Sequence, residues 1–426
     1  MRYLIIGAGA VGGTIGALLA AAGHDVALVA RGAHLAAIRD RGLTLARPNG
    51  EQTVRLPAYD GPAGLVCEPD TVVVLAVKSQ DTDAALRTWA DVPVRGGGTL
   101  GTELPVLTAQ NGVSNERTAL RYVEQVHPVC VWLPATFLEP GRISAEGHPH
   151  PGMLHLGRYP AAAADGVDRP GGVDRAGGVD RAGGVDRAGG VDRAGGVDRA
   201  GGVDRAGSAD GASGAGGASG TGGLDSGGVD RAGGVDRSGS ADSASGAGAA
   251  SGMGGAGRTG ADDTGRIVAA DLTGAGFVTR VRADVMRWKY AKLLSNLGNA
   301  VQALLGPEAA EAAELRARLR AEGMAVLDRA GIGYASTAEE AAERGDLVET
   351  RPVSGRPRAG GSTWQSLARG TDTVETDHLN GEIVLLGRLH GVPTPVNLAV
   401  QSAMRRAVRE RIPAGQFPPA ALASAG

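Results

Sequence analysis

The sequence predicts an α/β protein in three parts: a doubly wound parallel-sheet domain, a long low-complexity insert and an all-helical C-terminal domain. Three observations predict it. The chain opens with an apolar strand, a glycine turn, a helix and a second apolar strand. Its middle repeats one hexapeptide in phase. Its last third alternates apolar helical periodicity with Gly and Pro breaks.

The opening segment reads Met-Arg-Tyr-Leu-Ile-Ile-Gly-Ala-Gly-Ala-Val-Gly-Gly. Gly7, Gly9 and Gly12 fill G-x-G-x-x-G, with a strand before and a helix after. Gly7 permits the tight turn, Gly9 lets the backbone approach a pyrophosphate, and Gly12 lets the helix pack on the sheet. Ala8, Ala10 and Val11 complete the turn, where N–H groups at the helix start hold phosphate charge. This is a Rossmann-type dinucleotide-binding unit. The second strand ends in Ala30-Arg31-Gly32, with no acid to accept from a ribose 2′-OH. A carboxylate there would repel a 2′-phosphate, whereas the Arg31 guanidinium can grip one through paired hydrogen bonds. The expected cofactor is therefore NADP, as NADPH.

The run Thr71–Val77 is continuously apolar, as in a strand covered on both faces. It ends in Lys78-Ser79-Gln80. A helix-like segment follows through Ala84, Leu86 and Trp89, and the next run, Leu104–Ala109, ends in Gln110-Asn111-Gly112. Both polar clusters fall at the carboxyl ends of strands, the edge where open α/β sheets bind ligands. Lys78 is a candidate contact for the cofactor or an anionic substrate. Asn111 is a candidate for the nicotinamide ribose or the substrate. A solvated loop lysine and a turn residue before glycine are the ordinary alternatives.

Residues 161–265 repeat Gly-Val-Asp-Arg-Ala-Gly at a period of six, with Val167 to Val203 in phase and a return at Val229 and Val235. One Val per repeat between glycines offers too little apolar surface to offset ordering entropy, so a disordered insert is expected rather than a solenoid. Lengthening a surface loop from ~10 to ~100 residues costs only about 2 kcal/mol of closure entropy. Beyond it, Arg266–Val268 and Gly276–Val281 read as a helical turn and a final strand. The first domain is thus expected to comprise residues 1–160 and 266–283, and the helical domain 284–426.

A net charge of −3 leaves no nucleic-acid footprint, and no run is apolar enough to span a membrane. Cys67 and Cys130 are too few for a disulfide framework and suit a reducing cytoplasm. The N-terminus superficially resembles a signal peptide, but the glycine turn breaks its apolar run. No metal site is expected.

Residues Arg287–Leu304 read as one amphipathic helix. Leu293, Leu297, Val301 and Leu304 form its buried stripe. Lys292, Asn296 and Asn299 lie beside that stripe, both asparagines within about 40° of the lysine at helical pitch. They suggest a cleft wall, though an amphipathic boundary with a snorkelling lysine has the same pattern. Thr337–Arg344, Ser362–Arg369, Glu375–Leu389 and Asn397–Arg411 read as further helices that close over a substrate and offer a surface for a homodimer.

The chain resembles the ketopantoate reductase (2-dehydropantoate 2-reductase) family. The resemblance rests on Gly7–Gly13, Arg31, Ala76–Gln80, Gln110–Gly112, Trp288–Asn296, Ser362–Gln365 and Val374–Gly381, in family order over nearly the whole chain outside the insert. It implies a Rossmann domain followed by a helical domain of the 6-phosphogluconate dehydrogenase type, with the active site between them. It implies reduction of 2-dehydropantoate to (R)-pantoate by NADPH. By position it makes Lys292 the catalytic lysine, Asn296 a substrate-binding asparagine and Ser362 a serine that binds the substrate carboxylate. Lys78 and Asn111 become cofactor contacts, and Glu375 a glutamate that orients either Lys292 or the nicotinamide ribose. Two departures lie on the substrate side. Ala300 stands where the family has a second asparagine, with Asn299 one residue earlier as its expected substitute. The interval from Ser362 to Glu375 is one residue longer. A paralogue acting on another 2-oxo acid, and an NADPH-binding sensor without catalysis, are the competing readings.

Overall fold

A computed structural model describes residues 1–161, 261–306, 309–310, 312–358 and 360–423. The repeat tract expected to be a disordered insert lies outside the described residues, except that positions 261–265 begin a helix.

The N-terminal part runs β1 (Arg2–Ile6), α1 (Ala10–Ala21), β2 (Asp25–Val29), α2 (Gly32–Arg41), β3 (Leu43–Arg47), β4 (Gly50–Val54), β5 (Ala58–Tyr59) and β6 (Thr71–Leu75). It continues with α3 (Thr82–Trp89), α4 (Leu100–Glu103), β7 (Pro105–Thr108), α5 (Asn115–Ala119), β8 (Gln125–Trp132), β9 (Ala135–Glu139), β10 (Arg142–Ala145), β11 (Gly147–Pro149) and β12 (Met153–Leu156). Beyond residue 260 come α6 (Ala261–Gly274), β13 (Val278–Val281), α7 (Val285–Asn296), α8 (Asn299–Leu305), α9 (Ala312–Arg329), α10 (Thr337–Arg344) and β14 (Val348–Thr350). The last helices are α11 (Ser362–Ala368), α12 (Asn380–His390), α13 (Pro395–Arg409) and α14 (Ala420–Ala423).

The main sheet has the order β13-β12-β8-β7-β6-β1-β2-β5. From β8 through β5 the pairs are parallel; β12 is antiparallel to β8, and β13 runs parallel to β12. Strand order reverses around β1, which pairs with β2 on one side and β6 on the other. A crevice opens at such a switch point, outside the strand carboxyl ends.

Apolar side chains cover both faces of this sheet. Ile5, Leu28 and Val74 pack under Ile15 and Leu19 of α1. Leu4, Ile6, Val73 and Leu75 pack against Leu86 and Trp89 of α3. Burial on both faces explains the unbroken apolar runs of β1 and β6. Helix α1 reaches the sheet through Gly12, where a Cβ would lie 2.2 Å from the Gly7 carbonyl oxygen and 2.8 Å from Ala76 Cβ.

Helices α7 to α9 and α11 to α13 enclose a separate apolar cluster that includes Leu293, Leu297, Val301, Leu304, Leu319, Ile383 and Met404. The expected single helix over 287–304 is two helices: α7 ends at Asn296 and α8 begins at Asn299. At the break, buried Asn380 of α12 donates from Nδ2 to the Leu297 carbonyl at 3.2 Å. Gly298 leaves room for Arg316, whose Cγ and Cδ would lie 2.8 Å from any Cβ there. A side-chain donor thus satisfies a carbonyl at the helix end, and the apolar stripe continues across the interruption.

Several polar ties join the segment beyond β13 to the sheet domain, among them a strand pairing and a buried ion pair. Strand β14 pairs antiparallel with β11, matching Val348–Thr350 to Gly147–Pro149. Lys289 of α7 forms an ion pair with Glu116 of α5, both fully buried, and its ammonium also donates to the Gln110 carbonyl at 3.1 Å. Thr108 Oγ1 donates to the same carboxylate at 2.7 Å. No helix among the described residues is long and apolar enough to cross a membrane.

Removing one partner from a buried pair strands the other charge. Lys289→Ala is expected to destabilise the protein by about 3–5 kcal/mol, read as a lower midpoint in denaturant unfolding. The double variant Lys289→Met with Glu116→Gln should recover a substantial part of that loss.

Candidate functional site

The switch-point crevice is part of a cleft of about 1050 Å³ that runs from the glycine turn to α7, α8 and α11. Gly7, Ala8, Gly9, Ala10, Val11, Arg31, Lys78, Asn111, Lys292, Asn296, Asn299, Ser362 and Glu375 all line it. Of the candidate cofactor and substrate residues, only Gly12 is off the wall, buried where α1 meets the sheet.

Local chemistry positions the glycine turn. Gly7 has φ +102°, and a Cβ there would lie 2.8 Å from the Val77 nitrogen. A Cβ on Gly9 would meet no heavy atom within 4 Å, so the space outside the first turn of α1 is open to a ligand. His34 braces the turn: its Nε2 donates to the Ala8 carbonyl at 2.7 Å, and its Nδ1 accepts from the Gly141 N–H at 2.9 Å. Only the neutral Nε2–H tautomer makes both bonds, and burial pushes the His34 pKa down. Arg31 is exposed just past β2, at the start of α2.

The residues that follow β6 and β7 form one polar network. The Asn111 carbonyl accepts from Asn115 Nδ2 at 2.8 Å and lies 3.1 Å from Ser79 Oγ. Asn296 of α7 reaches across to donate from Nδ2 to Asn111 Oδ1 at 3.3 Å. Glu375 is 4 % exposed and lies 2.7 Å from the Lys78 ammonium. It also accepts from the Ser79 N–H at 3.3 Å. Of the partners expected for Glu375, Lys292 is therefore not the one it takes.

Lys292 stands apart from these pairs. Among the described residues its ammonium has neither a hydrogen-bond nor an ion-pair partner; Nζ lies 5.9 Å from the centroid of the Trp132 ring. Trp132 is held edge-on by His155, at 4.6 Å, and by Trp288, at 6.1 Å. Burial lowers the Lys292 pKa from its ordinary value. Asn299, at the first position of α8, sits beside Gly361, where a Cβ would lie 3.5 Å from Asn299 Oδ1. The next residue, Ser362, has a buried hydroxyl with no hydrogen-bond partner among the described residues. A partnerless ammonium and a partnerless hydroxyl on one cleft wall can together receive an anionic oxygen-rich ligand.

Sequence reasoning did not single out several residues. His34 stands three places after Arg31, where the helical start gave a usable signal. Gln365 was inside the quoted Ser362–Gln365 motif; its Nε2 donates to Ala135 O and Gly360 O, both at 3.2 Å, and fixes the loop before α11. Arg344 and Arg358 line the cleft from segments with no motif at all.

Comparison with known proteins follows the same division of the chain. A family model described as "Ketopantoate reductase PanE/ApbA" matches residues 3–161, and its C-terminal counterpart matches residues 284–408. A 2-dehydropantoate 2-reductase of Pyrococcus horikoshii is 32% identical over 173 residues, covering 39% of this chain and 51% of the relative. The matched segment thus spans about half the length of that curated relative. Among solved structures, a PanE/ApbA family ketopantoate reductase from Ralstonia eutropha is 23% identical with a TM-score of 0.59, over 96% of this chain and 99% of that one. D-mandelate dehydrogenase in a ternary structure with NADH and anilino(oxo)acetate is 15% identical with a TM-score of 0.62, at 96% and 99% coverage. Both share the fold.

Lys78→Met would leave the Glu375 carboxylate buried without its cation. A loss of about 3 kcal/mol is expected, read in thermal unfolding. Lys78→Arg should retain most of the stability.

Proposed function

The chain belongs to the ketopantoate reductase family, and on that premise we propose that it reduces the ketone of 2-dehydropantoate to (R)-pantoate with NADPH. The observation that carries this reading is one cleft lined both by an open glycine turn next to Arg31 and by the partnerless Lys292. The open space at Gly9 fits a dinucleotide pyrophosphate, and the exposed Arg31 fits a 2′-phosphate. The N–H groups at the start of α1 and the guanidinium of Arg31 would hold them. The chemistry supplied by bound NADPH is a hydride for the ketone carbon.

The protein's own task is to manage the charge that develops on the ketone oxygen. Lys292 stabilises that oxyanion and then gives it a proton. Its lowered pKa makes the ammonium a readier donor near neutral pH. Asn296, one helical turn on, donates to a substrate oxygen, and Ser362 offers its unspent hydroxyl. Glu375 holds Lys78 at the cofactor edge of the cleft and leaves Lys292 unpaired. The alternative of a paralogue reducing a different 2-oxo acid draws on Ala300, which is buried away from the cleft, and on Asn299, which opens a separate helix.

The deciding experiment follows NADPH consumption by purified protein with 2-dehydropantoate, other 2-oxo acids, and NADH in place of NADPH. NADPH-dependent preference for 2-dehydropantoate supports the proposal. Turnover of another 2-oxo acid selects the paralogue, and tight NADPH binding without any turnover selects the sensor. Arg31→Glu should lower kcat/KM with NADPH roughly 100-fold while sparing NADH. Lys292→Met should lower kcat by about 10²–10⁴-fold with NADPH affinity retained. Because the protonated lysine is the active form, the rate should be full at low pH and fall as pH rises through its pKa. That limb should lie below lysine's usual value of about 10.4 and vanish in Lys292→Met.

A further inference from the structure

Three further arginines line the cleft: Arg344, at the end of α10, Arg358, in the loop before α11, and Arg369, just past α11, whose Nη1 donates to the Phe137 carbonyl at 2.7 Å. Arg358 is the best placed. Its Nε is buried and has no hydrogen-bond partner among the described residues. The neighbouring acid, Glu146, keeps its Oε2 at 4.0 Å from that nitrogen, beyond hydrogen-bond range. Glu146 is itself 3 % exposed, and its Oε2 is equally unpartnered. Burial raises the Glu146 pKa, which makes it a weak competitor for the guanidinium.

The loop holds these two groups near each other without letting them close. The β11–β14 pairing lies directly after Glu146, and the Arg351 N–H donates to the Glu146 carbonyl at 2.8 Å. Val353 and Arg356 then exchange backbone hydrogen bonds at 2.9 and 3.1 Å, turning the chain back toward the cleft. Lys292, Arg344 and Arg358 line the same cleft. Burial is the main cause that depresses the Lys292 pKa; both arginines add to it, and Cys130 and Glu340 oppose it. An anion at this place would relieve that repulsion and satisfy a buried donor at once.

A 2-oxo acid carries its carboxylate on the carbon next to the ketone. An ammonium for the ketone oxygen and a guanidinium fork for the carboxylate are therefore needed side by side. We propose that Arg358 is the anchor for the substrate carboxylate, with the Ser362 hydroxyl beside it, and sets a preference for 2-oxo acids over neutral ketones. This rests on the reductase reading for the nature of the substrate. Arg31 serves the other, glycine-turn side of the cleft and is not interchangeable with it.

The test is calorimetric titration of the NADP-loaded full chain with 2-dehydropantoate and with its neutral lactone, which keeps the ketone and lacks the carboxylate. A second pair, 2-oxobutyrate and its methyl ester, is run alongside. The wild type should favour each acid over its neutral partner. Arg358→Gln should weaken acid binding roughly 30-fold or more, with little change for the lactone or for NADP. Arg358→Lys should recover part of the loss. Glu146→Gln, which removes the competing carboxylate and keeps the guanidinium, should hold or tighten acid binding. Equal loss for acid and lactone in both the Arg358 and Glu146 variants would mean a merely structural pair and overturn the anchor. Weaker NADP binding in Arg358→Gln would assign the arginine to the cofactor and overturn it too. Should 2-oxobutyrate bind as well as 2-dehydropantoate while the acid preference still depends on Arg358, the named substrate fails and the anchor stands.

Discussion

The cleft depends on the buried ion pair between Lys289 and Glu116. Its walls come from two hydrophobic cores that share no continuous element, one built on the sheet and one among the helices. Apolar contact alone is indifferent to small slides between such surfaces, because burial has no direction. A buried ammonium on a buried carboxylate is highly directional. Both charges lose their hydration, and only close geometry with further hydrogen bonds compensates. Thr108 and the Gln110 carbonyl supply those bonds. The pair therefore fixes α7 against the carboxyl ends of the strands, and Lys292, one turn further along α7, inherits its place from it.

The same economy of carboxylates explains how Lys292 remains unpaired. The buried acids near the cleft are held elsewhere: Glu116 by Lys289, Glu375 by Lys78. Glu146 stays beyond hydrogen-bond reach of Arg358. What faces Lys292 is the ring of Trp132, which steadies an ammonium through its quadrupole without accepting a hydrogen bond. His155 behind that ring is fully buried, and burial pushes its pKa down to about 4, so it stays neutral and adds no charge to the wall. A lysine kept among aromatic and like-charged groups holds its proton less tightly, which is the property an acid catalyst needs.

Much of this was legible in the sequence, for reasons that differ by element. The glycine turn could be read because φ near +102° at Gly7 and the 2.2 Å approach at Gly12 admit no side chain. Strands β6 and β7 could be read because a sheet covered on both faces forces an uninterrupted apolar run. The break between α7 and α8 could not. The stripe Leu293, Leu297, Val301 and Leu304 keeps its period across it, and the donor that satisfies Leu297 comes from Asn380, far along the chain. The pairing of Glu375 with Lys78 rather than Lys292 was hidden for the same reason, since the two are 297 positions apart.

Arg344 and Arg358 show where pattern reading stops and physical accounting begins. Arg344 ends a segment read as a helix and Arg358 belongs to no motif, and an arginine at a helix end or in a loop is by default a solvated surface charge. Only the fold reveals that Arg358 is folded inward and that its Nε is shut away from water. A donor hidden from solvent must be satisfied by something. Lys292 and Arg344 line the same cleft, so an anion would satisfy that donor and offset their charge together. The departure at Ala300 then takes on a different meaning. Ala300 is buried off the cleft while Asn299 lines it, so the wall keeps an amide there, and the proposed Arg358 anchor would add charge recognition to it. Charge recognition tolerates variation in the uncharged end of a ligand, so under that proposal discrimination among acids would fall to the groups around Asn296 and Asn299.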